Sequence, residues 1–111
     1  MKVSLITCTS NSEQFIKDCL VSIKNQTYQN IEHIIIDGCS SDNTLKIIKN
    51  FFPSNTNIVS ETDLGPYDAF NKGIIKSTGD LIGFVHSDDL LASKSIINDI
   101  VNCISSKILR S

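Results

Sequence analysis

The residues best equipped for chemistry are Asp88 and Asp89, reached through His86 and Ser87 at the end of the apolar run 80–85. Two neighbouring carboxylates repel one another. At about 4 Å and an effective dielectric near 20, the repulsion is on the order of 4 kcal/mol. Water, a cation or hydrogen-bond donors must offset it. Oxygen ligands at a polar strand end suit a hard divalent ion, Mg2+ or Mn2+, whose shell a phosphate-bearing partner completes. The plainer reading is a solvated Asp-Asp turn that leads into the next helix. Three further polar clusters follow apolar runs: Thr9-Ser10-Asn11, Asp37-Gly38 and Glu61-Thr62-Asp63. Helix capping accounts for Asn11 and Ser41, but it does not call for acids at Asp37, Asp88 and Asp89.

Several chemistries are absent from the pattern. No Gly-x-Gly-x-x-Gly follows the first strand, which counts against a dinucleotide cofactor, and no P-loop motif occurs. A bound phosphate would then rest on a metal and on backbone donors. Cys8, Cys19, Cys39 and Cys103 lack the spacing of a zinc site and read as thiols in a reducing compartment. A formal net charge of −2 gives no basic footprint for nucleic acid. No apolar run approaches the ~20 residues of a membrane span, and no signal peptide is legible at the start.

The elements that must carry these groups follow from periodicity. Residues 2–9 read as a buried strand. Asn11 with Gln14 suits a capping box ahead of the stripe Phe15, Ile16, Cys19, Leu20 and Ile23, with the helix ending near Gln26. Residues 31–37 form the second strand. Ser41 and Asp42 start a helix marked by Leu45, Ile48, Phe51 and Phe52 and closed by Pro53. A loop over 54–57 leads to a short strand over 57–61. Loop residues 63–65 then precede Pro66, which opens a helix carrying Tyr67, Phe70, Ile74 and Ile75 and ending at Gly79. The run 80–85 reads as a strand buried on both faces. Ile96, Ile97, Ile100, Val101, Ile104 and Ile108 mark a final amphipathic helix. The order βαβαβαβα predicts a Rossmann-like α/β domain: a mostly parallel sheet covered by helices on both faces, with ligands at the carboxyl ends of the strands.

Four motifs occur in order along this frame: Val3-Ser4-Leu5-Ile6-Thr7 with Asn11; Asp37-Gly38-Cys39-Ser40-Ser41-Asp42-Asn43-Thr44; Gly65-Pro66-Tyr67-Asp68-Ala69-Phe70-Asn71-Lys72-Gly73; and Gly79-Asp80-Leu81-Ile82-Gly83-Phe84 with Ser87-Asp88-Asp89. Together they resemble the nucleotide-sugar half of family-2 inverting glycosyltransferases of the GT-A fold. The resemblance covers nearly all of residues 1–111. It implies that Thr7, Cys8 and Thr9 pass along the nucleobase and that Asp37 accepts a hydrogen bond from the base edge. It places Gly65, Asn71 and Lys72 near the sugar and diphosphate, and Ser87 and Asp88 in the donor site. Asp88 and Asp89 would hold Mn2+ or Mg2+. The implied donor is a nucleoside-diphosphate sugar, a UDP-sugar by preference. The implied acceptor is a glycan or lipid-linked hydroxyl in surface polysaccharide or glycan synthesis. The setting would be the cytoplasm or the inner face of the membrane.

The departures from the family pattern are specific. His86 stands where the first acid of Asp-x-Asp often sits, Ser10 where many members carry a stacking aromatic, and Phe70 where many carry Arg, so that Lys72 would serve the diphosphate instead. Family members usually continue into an acceptor-binding half, so the general base is expected beyond Ser111. His33, inside the second strand, reads as a core or sheet-face residue, and Asp68 as a donor-site or helix-start residue. The residues leave open a catalytically incomplete nucleotide-binding fragment that acts with a partner chain. A response-regulator-like phosphoacceptor would need an acid pair after the first strand, and Thr9-Ser10-Asn11 supplies none. An unpartnered stripe on the last helix would favour a homodimer.

Overall fold

The structure, a computed structural model, describes residues 1–52, 57–62 and 65–110. The expected stop at Pro53, the loop over 54–56 and the loop pair Asp63-Leu64 lie outside the described residues. The elements run β1 (Val3–Thr9), α1 (Ile16–Lys24), β2 (Ile31–Asp37), α2 (Thr44–Phe51), β3 (Ile58–Ser60), α3 (Pro66–Lys76), β4 (Leu81–Phe84) and α4 (Ile96–Arg110). The four strands form one sheet in the order β3-β2-β1-β4, and every pairing is parallel. The chain therefore grows from β1 through β2 to β3, then crosses back to place β4 on the other side of β1. That reversal between β1 and β4 is the topological switch point, where such sheets open a crevice at their carboxyl ends.

β-Branched side chains dominate the central strands, and Ile34, Ile35 and Ile36 are fully buried. The pleat divides them between two faces. On one face, Ile16 and Leu20 of α1 pack with Ile48 of α2 and Ile35 of β2. On the same face, Cys19 and Ile23 meet Ile97 and Val101 of α4 over Val3 and Leu5. The opposite face is narrower: Ala69 of α3 packs on Ile6, Ile34 and Ile36. Gly73 permits this approach, because a Cβ built there would stand 2.5 Å from Cγ2 of Ile6. The close seat of α3 brings its first turns beside the carboxyl end of β1.

Three expectations are corrected. α1 starts at Ile16 and takes no side-chain cap. Asn11 instead adopts a left-handed backbone, φ 47°, and its Oδ1 accepts the Ser41 amide at 2.8 Å. It thus ties the loop after β1 to the loop after β2, a use of Asn that capping statistics do not separate from a cap. α3 ends at Lys76, and Ser77 is already extended. β4 is not covered on both faces: Ile82 is 38% and Phe84 46% exposed. α3 lies over β1 and β2, which leaves the outer face of this edge strand open.

Candidate active site

A cleft of about 500 Å³ opens at the switch point, lined by Cys8, Thr9, Ser10, Ser12, Gly65, Ala69, Phe70, His86 and Ser87. Its floor is the end of β1 and the loop that follows. One wall is the start of α3. Gly65 has φ 122°, a conformation that side chains rarely adopt, and Pro66 then opens the helix at a position where its missing N–H costs nothing. The other wall is the segment after β4. Phe70 stands edge-on to Phe84, with ring centroids 4.8 Å apart, and lies 6.2 Å from His86. The aromatic surface of this cleft therefore comes from α3 and the β4 end, not from position 10.

The loops after β1 and β2 are bound into one body. The Asn11 amide donates to Ser40 Oγ at 2.9 Å, and the Ser12 amide donates to Thr44 Oγ1 at 2.8 Å. Thr44 in turn donates through its hydroxyl (2.5 Å) and its amide (2.9 Å) to Asp42. The Thr44 hydroxyl leads the groups that hold the Asp42 carboxyl below its ordinary range.

Asp37 is enclosed rather than offered to the cleft. It is fully buried. Its Oδ1 accepts Thr9 Oγ1 at 2.7 Å and Ser40 Oγ at 2.5 Å, and its Oδ2 accepts the Ser40 amide at 2.8 Å and Ser60 Oγ at 3.0 Å. A carboxylate offers about four lone-pair sites, and four donors fill them. In the structure Asp37 draws together the ends of β1, β2 and β3, and these protein donors stand where the sequence expects a base edge. Thr7 is likewise buried, and its hydroxyl lies 2.8 Å from His33 Nε2. His33 is buried as expected, and desolvation lowers its pKa to about 4.

Of the residues expected from the sequence, Cys8, Thr9, Gly65 and Ser87 line the cleft. Asn71 and Lys72 do not. Lys72 Nζ sits 3.1 Å from Glu61 and 3.3 Å from Asp68, and it donates to the Thr62 carbonyl at 3.0 Å. Desolvation opposes protonation there, but these two carboxylates prevail and raise the lysine's pKa. An ammonium already shared by two acids is poorly placed to serve a diphosphate. Asp68 accordingly acts within α3, as the i,i+4 partner of Lys72. Ser12 was not anticipated from the sequence, and Ala69 only as part of the Gly65–Gly73 motif. Ala69 was legible as the residue one turn after Gly65, whereas Ser12 depends on a contact with Ser87 across the cleft that no spacing rule reveals.

Asp88 and Asp89 follow the cleft residue Ser87 on an exposed turn, closed by the Asp89 amide donating to the His86 carbonyl at 3.0 Å, and neither acid is among the residues that line the cleft. Their charge reaches inward: burial first, then Asp89 and Asp88, raise the Cys19 thiol to about 11. Among the described residues no group of three or more His, Cys, Asp or Glu could enclose a metal. Two exposed carboxylates fit a hard divalent ion that keeps some waters and takes phosphate oxygens, the habit of Mg2+. They do not fit a tetrahedral nitrogen–sulfur metal such as structural zinc.

Comparison with known proteins agrees with this geometry. The model of Glycosyl transferase family 2 matches residues 4–102. An uncharacterized glycosyltransferase of Mycobacterium tuberculosis is 36% identical over 106 residues, which is 95% of this chain and 40% of that protein. The chain thus spans about two fifths of that relative's length. The crystal structure of Staphylococcus aureus TarS 1-349 in complex with UDP-GlcNAc superposes with a TM-score of 0.84 at 29% identity, covering 96% of this chain and 32% of that one. A Pyrobaculum calidifontis mannosyltransferase in complex with GDP-Man and Mn2+ shares the fold, with a TM-score of 0.83 at 22% identity, covering 90% of this chain and 31% of that one.

Proposed function

The chain belongs to Glycosyl transferase family 2, and we propose that it forms the nucleotide-sugar-binding part of an enzyme that moves a sugar from a nucleoside-diphosphate sugar to an acceptor hydroxyl. The observation that carries this reading is the cleft at the β1/β4 switch point, whose lining residue Ser87 leads directly into the exposed Asp88-Asp89 turn. The nucleotide lies along Cys8, Thr9 and Ser10, with its flat base or its sugar ring against Phe70 and His86. The Ser12 and Ser87 hydroxyls face the diphosphate, and Asp88 and Asp89 hold Mn2+ or Mg2+ beside it. When bound, that ion supplies Lewis-acid neutralisation of the leaving nucleotide. A UDP-sugar is the favoured donor, in keeping with the UDP-GlcNAc complex of the Staphylococcus aureus neighbour. The acceptor is a glycan or lipid-linked hydroxyl.

A second reading keeps the nucleotide site and removes turnover: the chain binds the donor and works only with a partner chain. The open face of β4, with Phe84 and Ile82 half-exposed, favours it. Calorimetric titration with UDP, UDP-GlcNAc and GDP-mannose, with and without Mn2+, tests the shared premise. Metal-dependent binding of one nucleotide is expected, and no binding under any of these conditions refutes both readings. Release of UDP from UDP-GlcNAc by the chain alone would exclude the second. Among the described residues no helix is long and apolar enough to cross a membrane.

A further inference from the structure

The pairing of β4 with β1 ends at Phe84 opposite Ile6, and the next amide, Val85, donates to the Ile6 carbonyl at 3.0 Å. The acids come after the sheet has stopped holding the chain. Other contacts take over, and they come from the segment that begins at Ser12 and runs through α1. Ser12 Oγ and Ser87 Oγ lie 2.9 Å apart. The Cys19 thiol donates to the His86 carbonyl at 3.5 Å. Ser22 Oγ accepts the Leu91 amide at 3.2 Å. Just past α1, Gln26 donates to the Ser93 carbonyl at 2.7 Å and accepts the Ile97 amide at 3.2 Å. Cys19 and Ser22 lie one turn apart on one side of the helix, so these residues form a polar rail along which the chain from His86 to Ile97 is pinned.

We propose that Ser12 is a positioning residue for the acid turn: through Ser87 it fixes where Asp88 and Asp89 stand relative to the cleft. This rests on the donor-site reading given above. Ser12 is itself rigidly placed. It is buried, its hydroxyl is gripped from its own loop by the Ser10 amide and carbonyl, each at 3.3 Å, and its amide is fixed by Thr44 at 2.8 Å. Helix capping does not explain the hydroxyl. The Ser12 carbonyl accepts the Phe15 and Ile16 amides, but α1 has no side-chain cap, so Ser12 Oγ is left for the turn. The consequence is mechanical: the loop that carries the base side of the cleft and the loop that carries the metal side move as one.

The test uses Ser12→Ala, Ser87→Ala and the double variant in the full chain. Amide exchange across 86–91, measured without nucleotide or metal, should accelerate about threefold to tenfold in each single variant, the range expected for one lost hydrogen bond. The Mn2+ concentration that half-saturates UDP binding should rise by a similar factor. The double variant should be no worse than the worse single, because both remove the same contact. Unchanged exchange over 86–91 in both singles overturns the proposal, as does a double variant whose loss is the product of the two. If the wild type binds no UDP with Mn2+, the donor-site reading fails, and the exchange measurement still decides whether Ser12 holds the turn.

Discussion

Replacing Asp37 by Asn separates the two roles open to that carboxylate. In the structure it is fully buried and takes four donors, at 2.5, 2.7, 2.8 and 3.0 Å. Asn keeps one acceptor oxygen, which can still receive Thr9 and Ser40 Oγ. Its NH2 group must then face the Ser40 amide or Ser60 Oγ. Ser60 can rotate and accept. The Ser40 amide cannot, so a half-buried donor loses its partner and two hydrogen bonds lose their charge. Hydrogen bonds to a charged group are worth about 1.5–3 kcal/mol each, and a stranded donor costs about 1–3 kcal/mol, with partial overlap between the two. A loss of roughly 2–4 kcal/mol follows, a large share of the ~5–15 kcal/mol that a small domain has in total. Urea unfolding followed by circular dichroism measures it, with Ser60→Ala, expected to lose about 1 kcal/mol, as the milder companion. A loss below about 1 kcal/mol for Asp37→Asn, or a change in uridine-over-guanosine preference at unchanged stability, would show that the carboxylate serves the base and not the strand ends.

Other outcomes follow from single contacts. Gly73→Ala places a methyl 2.5 Å from Ile6 Cγ2. It should cost about 1–3 kcal/mol and weaken nucleotide binding as well, because α3 carries Ala69 and Phe70 into the cleft; a neutral melt would refute the close seat of α3. His33 titrates near 4 when folded, against about 6.5 when unfolded, so the folded state binds fewer protons as pH falls. Stability should be intact above about 6.5 and should decline between about 6.5 and 4, by up to roughly 3 kcal/mol. His33→Leu should flatten that limb, and a limb of unchanged slope would contradict it. Lys72→Met should leave UDP affinity within about twofold, because this half-buried amine pairs with Glu61 and Asp68; a tenfold loss would return Lys72 to the diphosphate.

The fold was legible because its strands are continuous β-branched runs and its helices carry amphipathic stripes. Residues 31–37 fall where periodicity put them, and the parallel sheet follows from the alternation of elements. The open face of β4 was not legible. Its sequence is as apolar as that of a doubly covered strand, and only the position of α3 over β1 and β2 shows that Phe84, met edge-on by Phe70, stays 46% exposed. In the site, Thr9 and Ser87 could be placed because polar strand ends are local features, whereas Cys8 and Gly65 came from the resemblance to the family. Asp37 could not. A carboxylate at a strand end looks the same in sequence whether it faces a ligand or is saturated by Thr9, Ser40 and Ser60, and those partners come from three different strand ends. Lys72 illustrates the same limit, since its neighbour Glu61 lies beyond β3.

If the Asp88-Asp89 turn and the β1/β4 cleft act together on one nucleotide, a divalent ion must join them. Crystals of the chain grown with UDP and Mn2+ and measured at the manganese absorption edge test it directly. An anomalous peak is expected at about 2.0–2.4 Å from a carboxylate oxygen of Asp88 or Asp89, a range set by hard-cation ligands, with the UDP diphosphate on its other side and the base beside Cys8 and Thr9. Ordered UDP in that cleft with no manganese at either carboxylate, or UDP bound elsewhere on the surface, would contradict it.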